Sequence, residues 1–326
     1  MNVLVVGGGS IGQRHIRNLH ILGEYNIYCL RRNVDESFDK ELGVTTVTSF
    51  AEAAKKNVEV VIVCTPTALH NESLKFAVLQ NAAVFMEKPL IHDLEGLLEA
   101  KNLLKNSLQC FFIGFMLRFH PLVRKIKEII DGCSLGNVYH ARFEFGSFLP
   151  YWHPWEDHRT SYASIKKLGG GVINTITHEL DLIQYFFGKP NALFCDAQNF
   201  NKLDIEVEEI CEATFDYGDK LVSLHLDYLQ KDYDRNIKIL FDEGKVIWNW
   251  HDNKVIVVKH KEIVTEINLE HKFEVNQLYL DELTCFFELI GNKKNKHTLD
   301  QYHAFENTEI MLKMHQSIKE KSKIIL

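Results

Sequence analysis

The chain has 326 residues, 46% hydrophobic and 25% charged, with 37 Lys and Arg against 44 Asp and Glu for a net charge of −7. At about 100 to 200 residues per domain this predicts two domains with real cores, and the composition excludes a disordered or fibrous chain. The acidic balance gives no field to attract a phosphate backbone, so nucleic acid is not an expected partner.

The seven cysteines are scattered without a C-x-x-C pair. Neither a disulfide framework nor a cysteine-rich zinc site is expected, and the setting is read as a reducing cytoplasm. The opening run MNVLVV meets glycines too soon for a signal peptide or a membrane span, so no membrane partner is expected, and the sequon at Asn71 is read as incidental.

In chain order, NVLVV at 2–6 predicts a strand, and the glycine cluster with Ile11, Ile16 and Leu19 beyond it predicts a tight turn and a helix. NIYCL (26–30) and VEVVIVC (58–64) read as the second and third strands, followed by a helix near 71–80. A strand ends before Lys88, a helix runs over 93–105, and QCFFIGF (109–115) is the next strand. Near-continuous apolar strands alternating with helices predict a doubly wound parallel sheet covered on both faces.

From about residue 137 the rhythm changes. Strands NVYHARFEF, EEICEATFDY, KLVSLHLDYL, RNIKILFDE, KVIWNW and NKVIVVKH come without intervening helices and several alternate apolar with polar, as one-sided antiparallel strands do. Helices near 274–290 and 302–320 close the chain, and GNKKNKH (291–297) reads as a solvated loop. The expected class is α/β, with a doubly wound parallel-sheet domain over 1–120 and a second α/β domain over 121–326 built on an open, mostly antiparallel sheet.

The string Gly7-Gly8-Gly9-Ser10-Ile11-Gly12 satisfies G-x-G-x-x-G, follows a strand and opens a helix. That context predicts a Rossmann-type dinucleotide site: Gly7 for the turn, Gly9 for close approach of the pyrophosphate, Gly12 for helix packing, and the helix N-terminus for the phosphate charge. Where an NAD-selective site carries a carboxylate, this chain has Arg31 and Arg32. Guanidinium groups suit a 2′-phosphate, so NADP is favoured over NAD.

GGGSIGQRH (7–15), CTPTALH (64–70), EKPL (87–90), RFHP (118–121) and GGGVINTITHELD (169–181) together resemble the Gfo/Idh/MocA oxidoreductases, the glucose-fructose oxidoreductase and inositol dehydrogenase family. The resemblance spans nearly the whole chain. It implies that Lys88 lies beside the nicotinamide and the substrate hydroxyl, and that His178 shares in proton transfer. Physically, ligands of a parallel sheet bind beyond the carboxyl ends of its strands, so the strand ending near Met86 delivers Glu87 and Lys88 there. Pro89 restricts Lys88 to an extended conformation, and a cis Lys88-Pro89 bond fits the sequence. Glu87 is expected to hold the ammonium or the cofactor ribose.

Many members of the family carry an aspartate where this chain has Asn174, next to Thr175. Asn174 can bind a sugar hydroxyl but takes no proton, so acid-base work falls on Lys88 and His178. Asp181 is expected either to orient the imidazole or to be a surface carboxylate in the first turn of a helix. H-E-x-x-H is broken by Leu182, so no metal is expected. The loop PYWHPWEDHRTSY (150–162) offers Trp152 and Tyr162 to a pyranose face, and Arg118 and His120 follow the last strand toward the cleft. Thr65 and Pro66 are expected to wall the ribose, and His70 to pack beside the cofactor.

The expected activity is hydride transfer between a nicotinamide and a secondary alcohol or ketone carbon of a sugar, nucleotide sugar or inositol-like polyol. Two other readings stand beside it: a non-catalytic NADP-binding sensor or scaffold, and an NAD-dependent glycosidase of the same family. The family's open sheet pairs between subunits, which implies a homodimer or homotetramer.

Overall fold

The computed structural model describes residues 1–105, 107, 109–260, 262–269, 273–291 and 299–326. The chain forms two compact units, one of Met1–Met116 with Val275–Thr308, the other of Leu117–Glu274 with Glu309–Leu326.

The first unit runs β1 (Asn2–Val6), α1 (Ser10–Leu22), β2 (Asn26–Leu30), α2 (Glu36–Leu42), β3 (Thr45–Val47), α3 (Phe50–Ala53), β4 (Val60–Val63), α4 (His70–Leu79), β5 (Ala83–Glu87), α5 (Leu94–Leu104) and β6 (Phe111–Gly114). The strands pair in parallel in the order β3-β2-β1-β4-β5-β6. Strand order reverses between β1 and β4, so a crevice opens beyond their carboxyl ends. β4 and β5 are buried along their whole length, which is why their sequences are almost unbroken apolar runs. Asp35 and Asp93 cap α2 and α5 by accepting backbone N–H groups of the first turn.

The second unit starts with α6 (Pro121–Asp131) and β7 (Val138–Gly146), continues through short 3-10 turns between Leu149 and Leu168, then α7 (Val172–Thr175) and α8 (His178–Phe187). β8 (Ala192–Gln198), β9 (Ile210–Asp216), β10 (Leu221–Asp227), β11 (Asp234–Phe241), β12 (Gly244–Asn249), β13 (Lys254–Lys259) and β14 (Glu262–Asn268) follow. α9 (Val275–Gly291) and the start of α10 (Gln301–Glu320) belong to the first unit, and the chain ends on β15 (Ile324–Ile325) in the second. The sheet order is β14-β13-β12-β11-β7-β10-β9-β8-β15, antiparallel except for the parallel pair β7 and β10. Inward residues Ala141, Phe143, Val222, Leu224, Ile237 and Ile239 are buried, and Phe143 meets Phe186 of α8 with ring centroids 6.0 Å apart.

The α/β class, with its parallel and mostly antiparallel sheets, is the expected one. The run expected as the third strand is the fourth, because β3 is only three residues long and has no periodicity to read. The strands after 137 are not the unbroken series expected: α7, which was not expected, and α8, the helix expected from His178, lie between β7 and β8. Residues 292–297 of the expected solvated loop lie outside the described residues.

Candidate functional site

In the first unit the glycine turn is built by close approach. Gly7 has φ 104°, and a Cβ there would lie 2.8 Å from the Cys64 carbonyl oxygen. A Cβ on Gly12 would lie 1.9 Å from the Gly7 carbonyl oxygen. Gly9 differs: it is the N-cap of α1, no side chain caps it, and a Cβ would meet nothing within 4 Å. The first-turn N–H groups at Ser10 and Ile11 thus face open space with the positive end of the helix behind them, a cradle for an anion.

Arg31 follows β2. Its guanidinium lies over the Phe38 ring at 3.7 Å, and its buried Nη1 has no hydrogen-bond partner among the described residues. Arg32 is exposed. Thr65, just past β4, has a buried hydroxyl likewise without a partner among the described residues, and Pro66 is half-buried beside it. An open glycine cradle, an orphaned guanidinium N–H and an orphaned hydroxyl at the ends of β1, β2 and β4 fit a dinucleotide's pyrophosphate and ribose.

His70 is buried and spans two motifs: Nε2 lies 3.0 Å from the Thr65 carbonyl and Nδ1 3.0 Å from that of Leu90. Burial pushes its pKa below the ordinary value, and the two carbonyls work against that shift. The ring therefore ties the turn after β4 to the segment after β5. Glu87 ends β5, 9% exposed, and accepts the His15 Nε2–H at 2.7 Å. Lys88 is half-buried, joined to Pro89 by a cis peptide bond, and Leu90 and Ile91 are buried.

In the second unit His178 opens α8 and is 9% exposed. Both carboxylates that follow it are taken by buried arginines. Arg235 Nε donates to Glu179 at 2.6 Å, and Arg118 donates from Nε at 3.0 Å and Nη2 at 2.8 Å to the two oxygens of Asp181. Asp181 is 0% exposed, so the surface alternative is overturned, and the Arg118 guanidinium that forks onto it also lies over the Tyr185 ring 4.7 Å away. His120 is 2% exposed and packs as a helix cap among aromatic rings instead of projecting to a cleft.

Asn174 Nδ2 donates to the Gly170 carbonyl at 3.0 Å, and its Oδ1 accepts His315 Nε2–H at 2.8 Å. Thr175 donates to the Gly171 carbonyl at 2.8 Å and bonds the buried Tyr228 hydroxyl, whose pKa burial pushes well up. Trp152 donates Nε1–H to Ser147 at 2.9 Å and meets Tyr228 edge to face at 5.5 Å. Trp152, Tyr228 and Thr175 thus make one chain of contacts with Asn174 next to Thr175 in sequence, Tyr162 is half-buried, and Trp155 is 76% exposed.

Sequence reasoning missed His15, Glu282, Tyr228 and His315. Two of them had a signal: His15 stands in the helical stripe Ile11, His15, Leu19, and Glu282 in the stripe Leu278, Glu282, Phe286, each a titratable group at apolar spacing.

Residues 1–115 match the family model "Oxidoreductase family, NAD-binding Rossmann fold", and residues 123–247 match "GFO/IDH/MocA C-terminal domain". An uncharacterized oxidoreductase of Streptococcus pneumoniae serotype 4 is 28% identical over 156 residues, 47% of this chain and 41% of that protein. The scyllo-inositol 2-dehydrogenase (NAD(+)) of Bacillus subtilis is 28% identical over 192 residues, 56% of this chain and 53% of its own. These matches span about half the length of each relative. Levoglucosan dehydrogenase, solved in complex with NADH, superposes with a TM-score of 0.89 at 16% identity, covering 100% of this chain and 98% of that one, and so shares the fold.

Proposed function

Because this chain belongs to the Gfo/Idh/MocA oxidoreductases, with an NAD-binding Rossmann unit at its N-terminus, we propose that it oxidises a secondary alcohol carbon of a sugar, nucleotide sugar or inositol-like polyol, or reduces the matching ketone. The observation that carries this reading is the end of β5. A fully buried strand stops at Glu87, and the next residue, Lys88, emerges half-buried between that carboxylate and Pro89. The relative acting on scyllo-inositol and the fold neighbour named for levoglucosan support the substrate class.

In this proposal the first unit holds the dinucleotide and the second the substrate. Gly7, Gly9, Ser10, Ile11 and Gly12 receive the pyrophosphate, while Thr65, Pro66, His70 and Glu87 shape the ribose side. Arg31 and Arg32, standing where a ribose-binding carboxylate would be, favour NADP. When bound, the nicotinamide supplies the hydride acceptor. Lys88 donates a hydrogen bond to the substrate oxygen and stabilises its alkoxide character. His178 takes the hydroxyl proton during oxidation and returns it during reduction. Asn174 and Thr175 can bind hydroxyls but carry no proton through the reaction, and Trp152 and Tyr162 offer flat faces to the ring. A homodimer or homotetramer is part of the same reading, consistent with the exposed Phe194 and Leu221 on the sheet face away from α8.

Absorbance change at the nicotinamide band across a panel of sugars and polyols identifies the substrate. Lys88→Met is then expected to cut kcat by about 100-fold to 10,000-fold while leaving dinucleotide affinity intact. Unchanged turnover in that variant, or a panel with no reduced cofactor at all, would remove the dehydrogenase reading.

A further inference from the structure

A second cluster of titratable groups lies behind Glu87. His15 on α1, Glu87 at the end of β5 and Glu282 on α9 are 0%, 9% and 0% exposed, and a polar atom of each lies within 4.8 Å of those of the other two. The His15 Nε2–H bond accounts for one oxygen of Glu87. Glu282 is different: neither of its carboxylate oxygens has a hydrogen-bond partner among the described residues. The rings of Phe85, Phe112 and Phe286, each 0% exposed, supply apolar surroundings in the same unit.

An ionised Glu282 would be a buried charge without a donor, next to a second carboxylate. Groups placed so escape the penalty by taking up a proton, and two close carboxyls rarely ionise together. The other titratable groups facing the cluster do not relieve it. Tyr279, one turn earlier on α9, and Cys64, just past β4, are themselves pushed up by burial and by these carboxylates. The cation on that side, Arg14 of α1, lies over the Tyr279 ring at 4.5 Å. Burial first, and Glu87 second, raise the Glu282 carboxyl well above its ordinary value.

We propose that Glu282 is the neutral member of a buried acid pair at pH 7, with its O–H directed to Glu87, and that it is a positioning residue. Together with His15 it fixes the Glu87 carboxylate and so the strand end from which Lys88 projects. The positioning half rests on the proposed role of Lys88; the protonation of Glu282 does not.

Infrared spectroscopy of the full chain with 13C-labelled glutamate tests the proton directly. A protonated-carboxyl band is expected at pH 7 and is expected to vanish in Glu282→Gln; its absence from the wild type, or its survival in that variant, would overturn the proposal. Glu282→Gln keeps a neutral donor and is expected to hold the wild-type pH profile of kcat. Glu282→Leu keeps volume without a donor and is expected to move the acid limb of that profile up by about one pH unit. Equal activity losses in both variants with the limb unmoved would assign Glu282 to packing alone. A stoichiometric divalent metal in the purified protein, released by Glu282→Gln, would also overturn the proton, since a metal needs both carboxylates ionised. Retained turnover in Lys88→Met removes the positioning half, while the infrared band still decides the proton.

Discussion

The Nδ1 atom of His120 accepts the backbone N–H of Leu122 at 3.2 Å, which makes an imidazole the cap of α6. The ring is enclosed by Trp248, Trp250 and Phe273, with centroids 5.3, 5.4 and 4.5 Å away. A capping Nδ1 must be bare, and burial followed by the Arg235 charge depresses this pKa to about 4.

The pH dependence follows from that depression. The unfolded chain binds the proton below about pH 6.5, the folded chain only below about 4, so stability rises with pH across that window. Unfolding midpoints are expected to fall as pH drops from 6.5 toward 4, with up to about 3 kcal/mol from this one group. His120→Asn keeps a capping acceptor without a proton site and is expected to flatten the curve in chemical denaturation. An unchanged slope in the variant would count against the assignment.

Gly9 and Gly12 separate binding from folding. A methyl at Gly12 collides with the Gly7 carbonyl, whereas one at Gly9 meets only open space. Gly12→Ala is expected to destabilise the first unit by about 1 to 3 kcal/mol or more. Gly9→Ala is expected to melt like the wild type and yet lose at least tenfold in dinucleotide affinity, because its methyl fills the cradle itself. Calorimetric titration alongside thermal melts checks both, and an intact affinity in Gly9→Ala would take the pyrophosphate out of that cradle.

In the proposed reading Arg31 carries the preference for NADP. With the guanidinium itself stacked on Phe38 and its Nη1 lacking a partner among the described residues, the group is held ready for an anion. Losing a charge-assisted hydrogen bond costs about 1.5 to 3 kcal/mol. Arg31→Ala is therefore expected to weaken NADP binding by about 10-fold to 100-fold and NAD binding far less. Equal losses for both nucleotides would assign the residue to general phosphate attraction.

The parts of the molecule that could be read in the sequence were those whose cause is local. β1, β4 and β5 are apolar because both faces are buried, and the glycine string betrays its turn because only glycine allows the contacts at Gly7 and Gly12. Partners set by tertiary packing left no such trace. Asp181 reads as a first-turn acid until Arg118, 63 positions away, is seen to fork onto it. Asn174 reads as a lone amide until His315, 141 positions on, is seen donating to it. α6 has a local cause too: Leu122, Val123, Ile126, Ile129 and Ile130 keep helical spacing behind Pro121, a stripe the expected elements do not include.

Phe286 on α9 lies against Phe85 and Phe112 of the parallel sheet, with ring centroids 5.6 and 6.0 Å away. The ribosome makes those strands first and reaches α9 only after all of Leu117–Glu274 has been synthesised. At about 5 to 20 residues per second, the nascent sheet waits on the order of ten seconds for that cover. During this interval the Phe85 and Phe112 side lacks the cover of α9 and is an oily surface of the kind that chaperones bind on an emerging polypeptide.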